Sequence, residues 1–281
     1  MQVFANGVAL GAVLFLMGSG LALLLGSMGV LNLAHGAVYM VGAYVTWALA
    51  VAQGHNLFVA ILAAVVVCGA LGLVLERLFR FIPGRPNEQI LLSFGLIYVI
   101  TNLAQIIWGP IAKTPFEVSW LDGAVHIGGV AIPTNRLAIA TVGFAIALIL
   151  WFVQDRTRVG AMVRAGMDDS DMTRALGINL DRVVLAVFVL GSAVAGVAGG
   201  IGGLVLGASS EQPMDVLLLA LIVVVVGGIG SVPGTLAASL LIGLLDAYSR
   251  YQFPEMSSVV LYLLMTVVLV LRPTGLSGRA A

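Results

Sequence analysis

Charge is what this sequence has least of. Only 9% of its 281 residues are Asp, Glu, Lys or Arg, and none of these precedes Glu76. Roughly a quarter of the residues of an ordinary soluble domain are charged, so that class is excluded. The net charge is zero, which gives no indication of a nucleic-acid-binding surface. The long uncharged opening segment is expected to lie in a lipid bilayer.

Motifs of enzyme and metal chemistry are also missing. Lys113 is the single lysine and no glycine-rich loop precedes it, so a GxxxxGK[ST] phosphate loop is excluded. The three histidines lie in unrelated contexts without metal-ligand spacing, and no base is placed to activate a serine. Cys68 lies in an apolar run and is expected to be a small buried hydrophobe. The sequence predicts no catalytic residue, no metal and no cofactor in this chain.

Apolar segments of membrane-spanning length fill most of the chain. Crossing the hydrocarbon core takes about 20 residues as a helix, and the alternation typical of membrane strands is absent. We therefore predict an all-α polytopic transmembrane helical bundle, a single domain over residues 1–281, with broken or re-entrant helices. Up to nine spans are predicted, over residues 7–26, 30–52, 57–79, 89–108, 136–154, 183–207, 215–229, 233–249 and 256–271.

The positive charges predict the orientation, because cytoplasmic loops accumulate Lys and Arg. With nine spans, one side of the membrane receives only Lys113, Arg136 and Arg250. The other side receives Arg77, Arg80, Arg85, Arg156, Arg158, Arg164, Arg174, Arg182, Arg272 and Arg279. We expect the N-terminus outside and the C-terminus in the cytoplasm.

A polar interruption lies early in the chain, where Gly29 and Gly36 bracket Asn32 and His35. Polar groups at membrane depth are costly unless they are paired or hydrated, and glycine permits a break in the helix. Asn32 and His35 are therefore candidates for a substrate pathway. A hydrogen bond between helices that fastens the bundle explains them equally well.

Two other predicted helices carry patterned faces. On the fourth span, polar residues share one face and could line a pathway or bond a neighbouring helix; they are Ser93, Thr101 and Gln105. On the sixth span, small residues recur at every fourth position and favour close helix packing over pathway lining. These small residues are Gly191, Ala195, Gly199, Gly203 and Gly207.

Two segments between spans are rich in glycine or proline. Residues 227–239, GGIGSVPGTLAAS, are explained either by a second broken span or by a plain turn between two spans. Residues 109–135 predict a short hairpin or a surface helix on the outer side, either as a connector or as a site where a partner docks.

An inner loop of about residues 154–182 holds five Arg and five Asp of a chain otherwise poor in charge. Its glycines predict short helices. Either this loop is a solvated connector or it is a docking surface whose charges orient a partner. The residues predicted to couple the loop to a partner are Arg164, Asp168, Asp169, Asp171, Arg174 and Gly177.

Four motifs along the chain resemble those of one family, the permeases of branched-chain amino acid ABC importers of the LivH and LivM type. The motifs are GVLNLAHGAVYMVGAY at 29–44, RAGMDDSDMTRALGINLDRV at 164–183, GGIGSVPGT at 227–235 and LRPTGLSGR at 271–279. The first of them, with Asn32 and His35, is more similar to LivH than to LivM. The compact size of the chain is compatible with eight spans instead of nine.

This resemblance implies a permease subunit of the bacterial inner membrane. Its partners would be a second permease subunit, homologous or identical, two cytoplasmic ATPase subunits and an extracytoplasmic substrate-binding protein. The loop around residues 164–177 would transmit the motion of the ATPases. Leucine, isoleucine and valine are the expected substrates, with urea, short amides or aromatic acids in related members. The alternative is a self-sufficient channel or an ion-coupled secondary transporter, for which Asp215 and Asp246 would be the nearest intramembrane acids.

Overall fold

Helices dominate this fold because lipid offers no partner for backbone N–H and C=O groups, so each span must bond within itself. The structure is a computed structural model that describes residues 2–29, 31–116, 121, 123–127, 130–272 and 275–277. The helices are α1 (Gln2–Met28), α2 (His35–Trp47, continued by a π-helical turn, Ala48–Ala52), α3 (Leu57–Arg80), α4 (Pro86–Trp108), α5 (Thr134–Arg156), α6 (Arg158–Asp168), α7 (Ser170–Ala175), α8 (Leu180–Leu206), α9 (Gln212–Gly227), α10 (Val232–Gln252) and α11 (Ser257–Leu271).

The predicted spans correspond one to one with helices of the structure. Within the described residues, seven helices are long and apolar enough to cross a membrane. The helix α9 and the Val259–Leu271 part of α11 are shorter apolar helices. With 16 residues, α9 measures about 24 Å, less than the roughly 30 Å of the hydrocarbon core. The all-α polytopic fold class is confirmed.

Helix α1 forms the centre of the bundle. Every residue from Gly11 to Ala22 is buried, so this helix is enclosed on all sides by protein. It packs against α5, α8, α9 and α10. The contact with α10 is close because glycines face it, and a Cβ built on Gly11 would lie 2.9 Å from the carbonyl oxygen of Ser239.

The predicted break in the second span is present. The helix α1 ends at Met28, Gly29 has a φ of +67°, and α2 begins only at His35. Residues 31–34 between them form no regular helix, and Val30 lies outside the described residues. The second span therefore starts five residues later than the sequence predicts.

The later glycine motif forms a turn, which decides between the two explanations that the sequence left open. Helix α9 ends at Gly227, and Gly228 and Gly230 both have positive φ values, of +99° and +77°. The side chain of Ser231 then caps α10 by accepting the N–H of Gly234. The two helices are antiparallel neighbours joined at this turn.

The outer segment contains the predicted hairpin. Strands β1 (Ala124–Ile127) and β2 (Val130–Pro133) pair antiparallel, with Ala124 opposite Pro133. Residues 117–120, 122, 128 and 129 of this segment lie outside the described residues, as do Arg279 and three further residues of the C-terminal motif, 273, 274 and 278.

Candidate functional site

The break between α1 and α2 lies inside the bundle and not at its rim. A Cβ built on Gly20 would lie 3.0 Å from Nε2 of His35 and 2.7 Å from the carbonyl oxygen of Gly191. Gly20 precedes the end of α1 by eight residues, or about 12 Å of helix. The chain therefore turns back along α1 before α2 starts, and His35 lies where α1, α2 and α8 meet.

Asn32 and His35 are both buried, with 1% and 0% of their surface exposed. The Oδ1 atom of Asn32 accepts the backbone N–H of Ala34 at 3.1 Å, and its backbone carbonyl accepts the N–H of His35 at 3.3 Å. The structure thus brings these two predicted residues together at the break. The Nδ2 atom of Asn32 has no hydrogen-bond partner among the described atoms.

A polar stripe continues along α2 from His35. Tyr39 and Thr46 follow it at i+4 and i+11, with Gly42 between them at i+7, so that all four share one face of the helix. The hydroxyls of Tyr39 and Thr46 are buried without a hydrogen-bond partner in the described part of the chain. Sequence reasoning missed these two residues, although the helical spacing from His35 indicates them.

The stripe faces the glycines of α8. Built Cβ atoms on Gly199 and Gly202 would collide with the backbone and the hydroxyl of Tyr39, respectively. A Cβ on Gly200 would lie 2.7 Å from Oγ1 of Thr46. Here the α2–α8 seam is the contact between the face of α2 that carries His35, Tyr39 and Thr46 and the glycine face of α8. This seam is tightly closed in the structure.

The unpaired polar atoms of the α2–α8 seam have a free-energy cost that a bound solute or water would remove. A buried polar group without a hydrogen bond costs about 1–3 kcal/mol. A solute or water that reached the seam could bind these groups and remove that cost. The hydroxyls of Tyr39 and Thr46 can donate and accept hydrogen bonds, and the amide of Asn32, at the neighbouring break, can also donate them.

The small residues predicted on the sixth span lie on α8 and meet different partners along the helix. Gly191 lies against Gly20 of α1, Ala195 is fully buried, and Gly199 lies against α2. Gly203 meets the ring of Phe116, and Gly207, with a φ of +72°, ends the helix against residues 113–115. This face of α8 is therefore in contact with protein along its whole length.

The three polar residues predicted on the fourth span lie on α4, which packs against α2. Ser93 is fully buried and donates its hydroxyl to the carbonyl of Ile90 in its own helix, at 2.8 Å. Gln105 donates to Oγ of Ser210 at 3.0 Å, at the turn between α8 and α9. Thr101 is half-buried between them. They are not brought into contact with Asn32 or His35 by any of these bonds.

The inner loop folds as two short helices, α6 and α7, whose caps use several of its polar residues. Asp169 accepts the backbone N–H groups of Asp171 and Met172, at 3.0 and 2.9 Å, and so caps α7. Arg164 donates to the backbone carbonyl of Gln154 and lies 3.6 Å from Oδ1 of Asp155. Arg164 and Asp169 therefore hold the shape of the loop.

Other predicted residues of the loop remain available to a partner. Asp168 and Asp171 are exposed, and Arg174 pairs with Asp181 at 2.9 Å while both side chains stay more than half exposed. Gly177 has a φ of +84°, which permits the turn from α7 into α8.

A cavity with several charged side chains in its lining opens beside this loop, with a volume of about 980 Å³ including the space open to its surroundings. Gly29 of the break, Glu76 and Arg80 of α3, and Arg174 and Asp181 line it. Glu76 is almost completely buried and accepts two hydrogen bonds from Arg80, at 2.9 and 2.5 Å. The cavity therefore connects the charged loop to the inner end of the break.

Among the residues that the structure describes, no group of three or more His, Cys, Asp or Glu side chains is placed to hold a metal ion. Cys68 is fully buried, and its Sγ donates to the carbonyl of Val38 at 3.4 Å. It fills the space between α2, α3 and Gly196 of α8.

Comparison with known proteins finds similarity to branched-chain amino acid transport permeases. A family model described as branched-chain amino acid transport system / permease component matches residues 3–269. The high-affinity branched-chain amino acid transport system permease protein LivH of Salmonella typhimurium is 32% identical, over 99% of this chain and 96% of that protein. BraD of Pseudomonas aeruginosa is 30% identical over the same shares of both chains.

More distant similarity extends to a second permease protein, LivM, and to a solved structure. LivM of Escherichia coli is 26% identical over 93% of this chain and 67% of that protein. A chain of the complex described as PsaBC from Streptococcus pneumoniae with Fab superposes with a TM-score of 0.56 at 14% identity, over 96% of this chain and 91% of the other. This last likeness concerns the fold alone.

Proposed function

The chain belongs to the family of branched-chain amino acid transport permease components, and we propose that its cargo is branched-chain amino acids or similar small solutes. It is the membrane-spanning permease subunit of an ABC importer and a multi-pass protein of the bacterial inner membrane, and ATP hydrolysis takes place on separate subunits. The observation that supports this choice of substrate is the 32% identity to a branched-chain amino acid permease over 99% of the chain.

The complete importer consists of this chain with a second permease subunit, two cytoplasmic ATPase subunits and an extracytoplasmic binding protein. Similarity to both LivH and LivM supports a pair of different permease chains. The exposed acids Asp168 and Asp171 on the inner loop support docking of the ATPases, since a soluble partner needs a charged surface to orient it. No cofactor is bound by this chain, and ATP is bound by its partners.

The solute passes the polar break at Asn32 and His35. Their burial, the unpaired Nδ2 of Asn32 and the cavity that Gly29 helps to line support this route. In the conformation described here the α2–α8 seam is closed, so the route opens when the ATPases drive the bundle into another arrangement. Ser93, Thr101 and Gln105 on α4 belong to the same route at a greater distance from the break.

Reconstitution tests the proposed function. The chain is co-purified with two ATPase subunits and a second permease subunit, placed in proteoliposomes, and supplied with a substrate-binding protein outside. We expect ATP-dependent uptake of radiolabelled leucine, isoleucine or valine that requires all components. Uptake of urea or a short amide in their place would assign a different substrate to the same importer. Uptake that continues without ATPases would contradict the importer and indicate a channel or an ion-coupled transporter.

A further inference from the structure

Several apolar side chains of α6 pack the inner loop against the bundle, among them the buried Val163, and Met167 near the end of the helix is the one that meets two glycines. A Cβ built on Gly26 of α1 would lie 2.5 Å from Cε and 3.1 Å from Sδ of Met167. A Cβ built on Gly230, in the turn between α9 and α10, would collide with the same Cε. Met167 therefore occupies a socket formed by Gly26 and Gly230, which exists because neither residue has a side chain.

The same turn receives other parts of the inner face. Gln154 at the end of α5 donates its Nε2 to the carbonyl of Gly230 at 2.7 Å, and Arg164 of α6 donates to the carbonyl of Gln154. The C-terminal segment bonds the end of α9, where the N–H of Leu276 donates to the carbonyl of Val226 at 2.8 Å. The turn at Gly230 is thus a junction of α1, α5, α6, α9 and α10.

Displacement of α6 is expected to move the residues that contact it at this junction. Protein interiors are packed too densely for one element to slide past its neighbour without moving it. A push on the loop must move Gly26 and Gly230 together with Met167, or pull the methionine out of its socket. Gly26 lies three residues before Gly29, where α1 gives way to the break that holds Asn32. Motion at the socket therefore reaches the proposed pathway by a short route.

Met172 of the same loop is placed differently from Met167. It lies on α7 in the same loop, five residues further along, and its surface is 58% exposed. A long flexible thioether fills an irregular gap well, which suits Met167 to a socket between moving elements.

We propose that Met167 is a positioning residue that transmits displacement of the inner loop to the inner end of α1 and to the α9–α10 turn. This inference rests on the proposed function, because it assumes that ATPases move the loop. It assigns the transmission to the apolar contact at Gly26 and Gly230, and not to the charges on the exposed face of the loop.

The first experiment compares Met167→Ala with Met172→Ala in the reconstituted importer, measuring ATP hydrolysis and uptake in the same vesicles. We expect Met167→Ala to hydrolyse ATP while the uptake per ATP falls by about 2- to 30-fold, the range found for side chains that couple distant sites. Met167→Leu keeps the volume and should restore the ratio. Met172→Ala should match the wild type. An unchanged ratio in Met167→Ala, or an equal loss in Met172→Ala, would overturn the proposal.

A second experiment needs no transported solute, so that failure of the cargo assignment does not affect it. Amide hydrogen exchange over residues 29–34 is compared between the nucleotide-free complex and the complex trapped with ATP and vanadate. We expect trapping to change exchange there in the wild type and in Met172→Ala, and to leave it unchanged in Met167→Ala. The same change in Met167→Ala would show that the motion bypasses the socket. Wild-type complex that responds to ATP but carries no solute of the family counts against the proposed cargo alone.

Discussion

At the scale of single residues, the two polar atoms of the Asn32 side chain have different surroundings at the break. Its Oδ1 holds the backbone by accepting the N–H of Ala34, while its Nδ2 is buried and lacks a partner within the described residues. A side chain kept only for local structure would need just the acceptor. The unpaired donor is the feature that points to transport.

Replacing Asn32 by Leu should impair uptake without preventing assembly with the ATPases. We expect the uptake rate to fall about tenfold, which is the equivalent of one lost hydrogen bond of about 1.4 kcal/mol. Uptake and co-purification of the ATPases are measured on the same preparations. The control is Asn102→Leu, since Asn102 is exposed on α4 and donates to the carbonyl of Tyr98 in its own helix. Normal uptake by Asn32→Leu would assign Asn32 to packing.

A methyl group at Gly199 should destabilise the bundle, because its Cβ would collide with the carbonyl oxygen of Tyr39 across the α2–α8 seam. Overpacking of this kind costs about 1–3 kcal/mol. The temperature of thermal unfolding in detergent should therefore be lower for Gly199→Ala than for the wild type.

Gly95→Ala is the matched control for Gly199→Ala. A Cβ on Gly95 of α4 would meet no atom within 4 Å, so the substitution gains helix propensity without a clash. Its unfolding temperature should equal or exceed that of the wild type. Equal losses in both variants would mean that the close approach of α2 and α8 contributes nothing to stability.

At the scale of elements, the inner loop divides its charges between two tasks. Asp169 caps α7 and Arg164 ties α6 to the end of α5, so both shape the loop. Asp168 and Asp171 are exposed on the surface. Sequence patterning grouped all of them as coupling residues because spacing does not distinguish a cap from a free carboxylate.

Reversing the exposed charges with Asp168→Lys and Asp171→Lys together should uncouple ATP hydrolysis from uptake while membrane insertion stays intact. Like charges at a docking surface repel the partner or tilt it. Uptake per ATP and the amount of inserted protein are measured in reconstituted vesicles. Glu88→Lys is the control, since Glu88 is an exposed acid outside the loop.

Asp169→Asn keeps the capping oxygen and should couple normally, whereas Asp169→Ala removes a cap worth about 1 kcal/mol and should loosen α7. Normal coupling in the double lysine variant would show that the docking surface lies elsewhere.

At the scale of the whole molecule, orientation is the property that follows from summed charge. Ten arginines on one side against three positive residues on the other predict a cytoplasmic inner loop. The helix order is compatible with this, because α6 and α7 lie between two long spans, α5 and α8.

Single-cysteine labelling tests the orientation. In a Cys68→Ser background, whose hydroxyl can keep the bond to Val38, cysteines are placed at His55 or Leu176, both exposed. A membrane-impermeant maleimide should label the His55→Cys variant in intact spheroplasts. It should label the Leu176→Cys variant only after the membrane is opened. The reverse pattern would invert the topology.

The sequence by itself determined that this protein is a helical membrane bundle with a break near Asn32, and its motifs indicated the family. These properties depend on local quantities, namely the length of apolar runs, the absence of charge and the position of glycine, which act within one helix. The α9–α10 turn shows the limit of this, because the same glycines fitted a broken span equally well.

Only the tertiary structure decided which residues meet. The contact of Met167 with Gly26 and Gly230, and that of Tyr39 with Gly199 and Gly202, join residues far apart in the chain. The periodicity of one helix defines its faces but not the partner that each face finds, because in lipid the choice depends on close van der Waals fit between two surfaces.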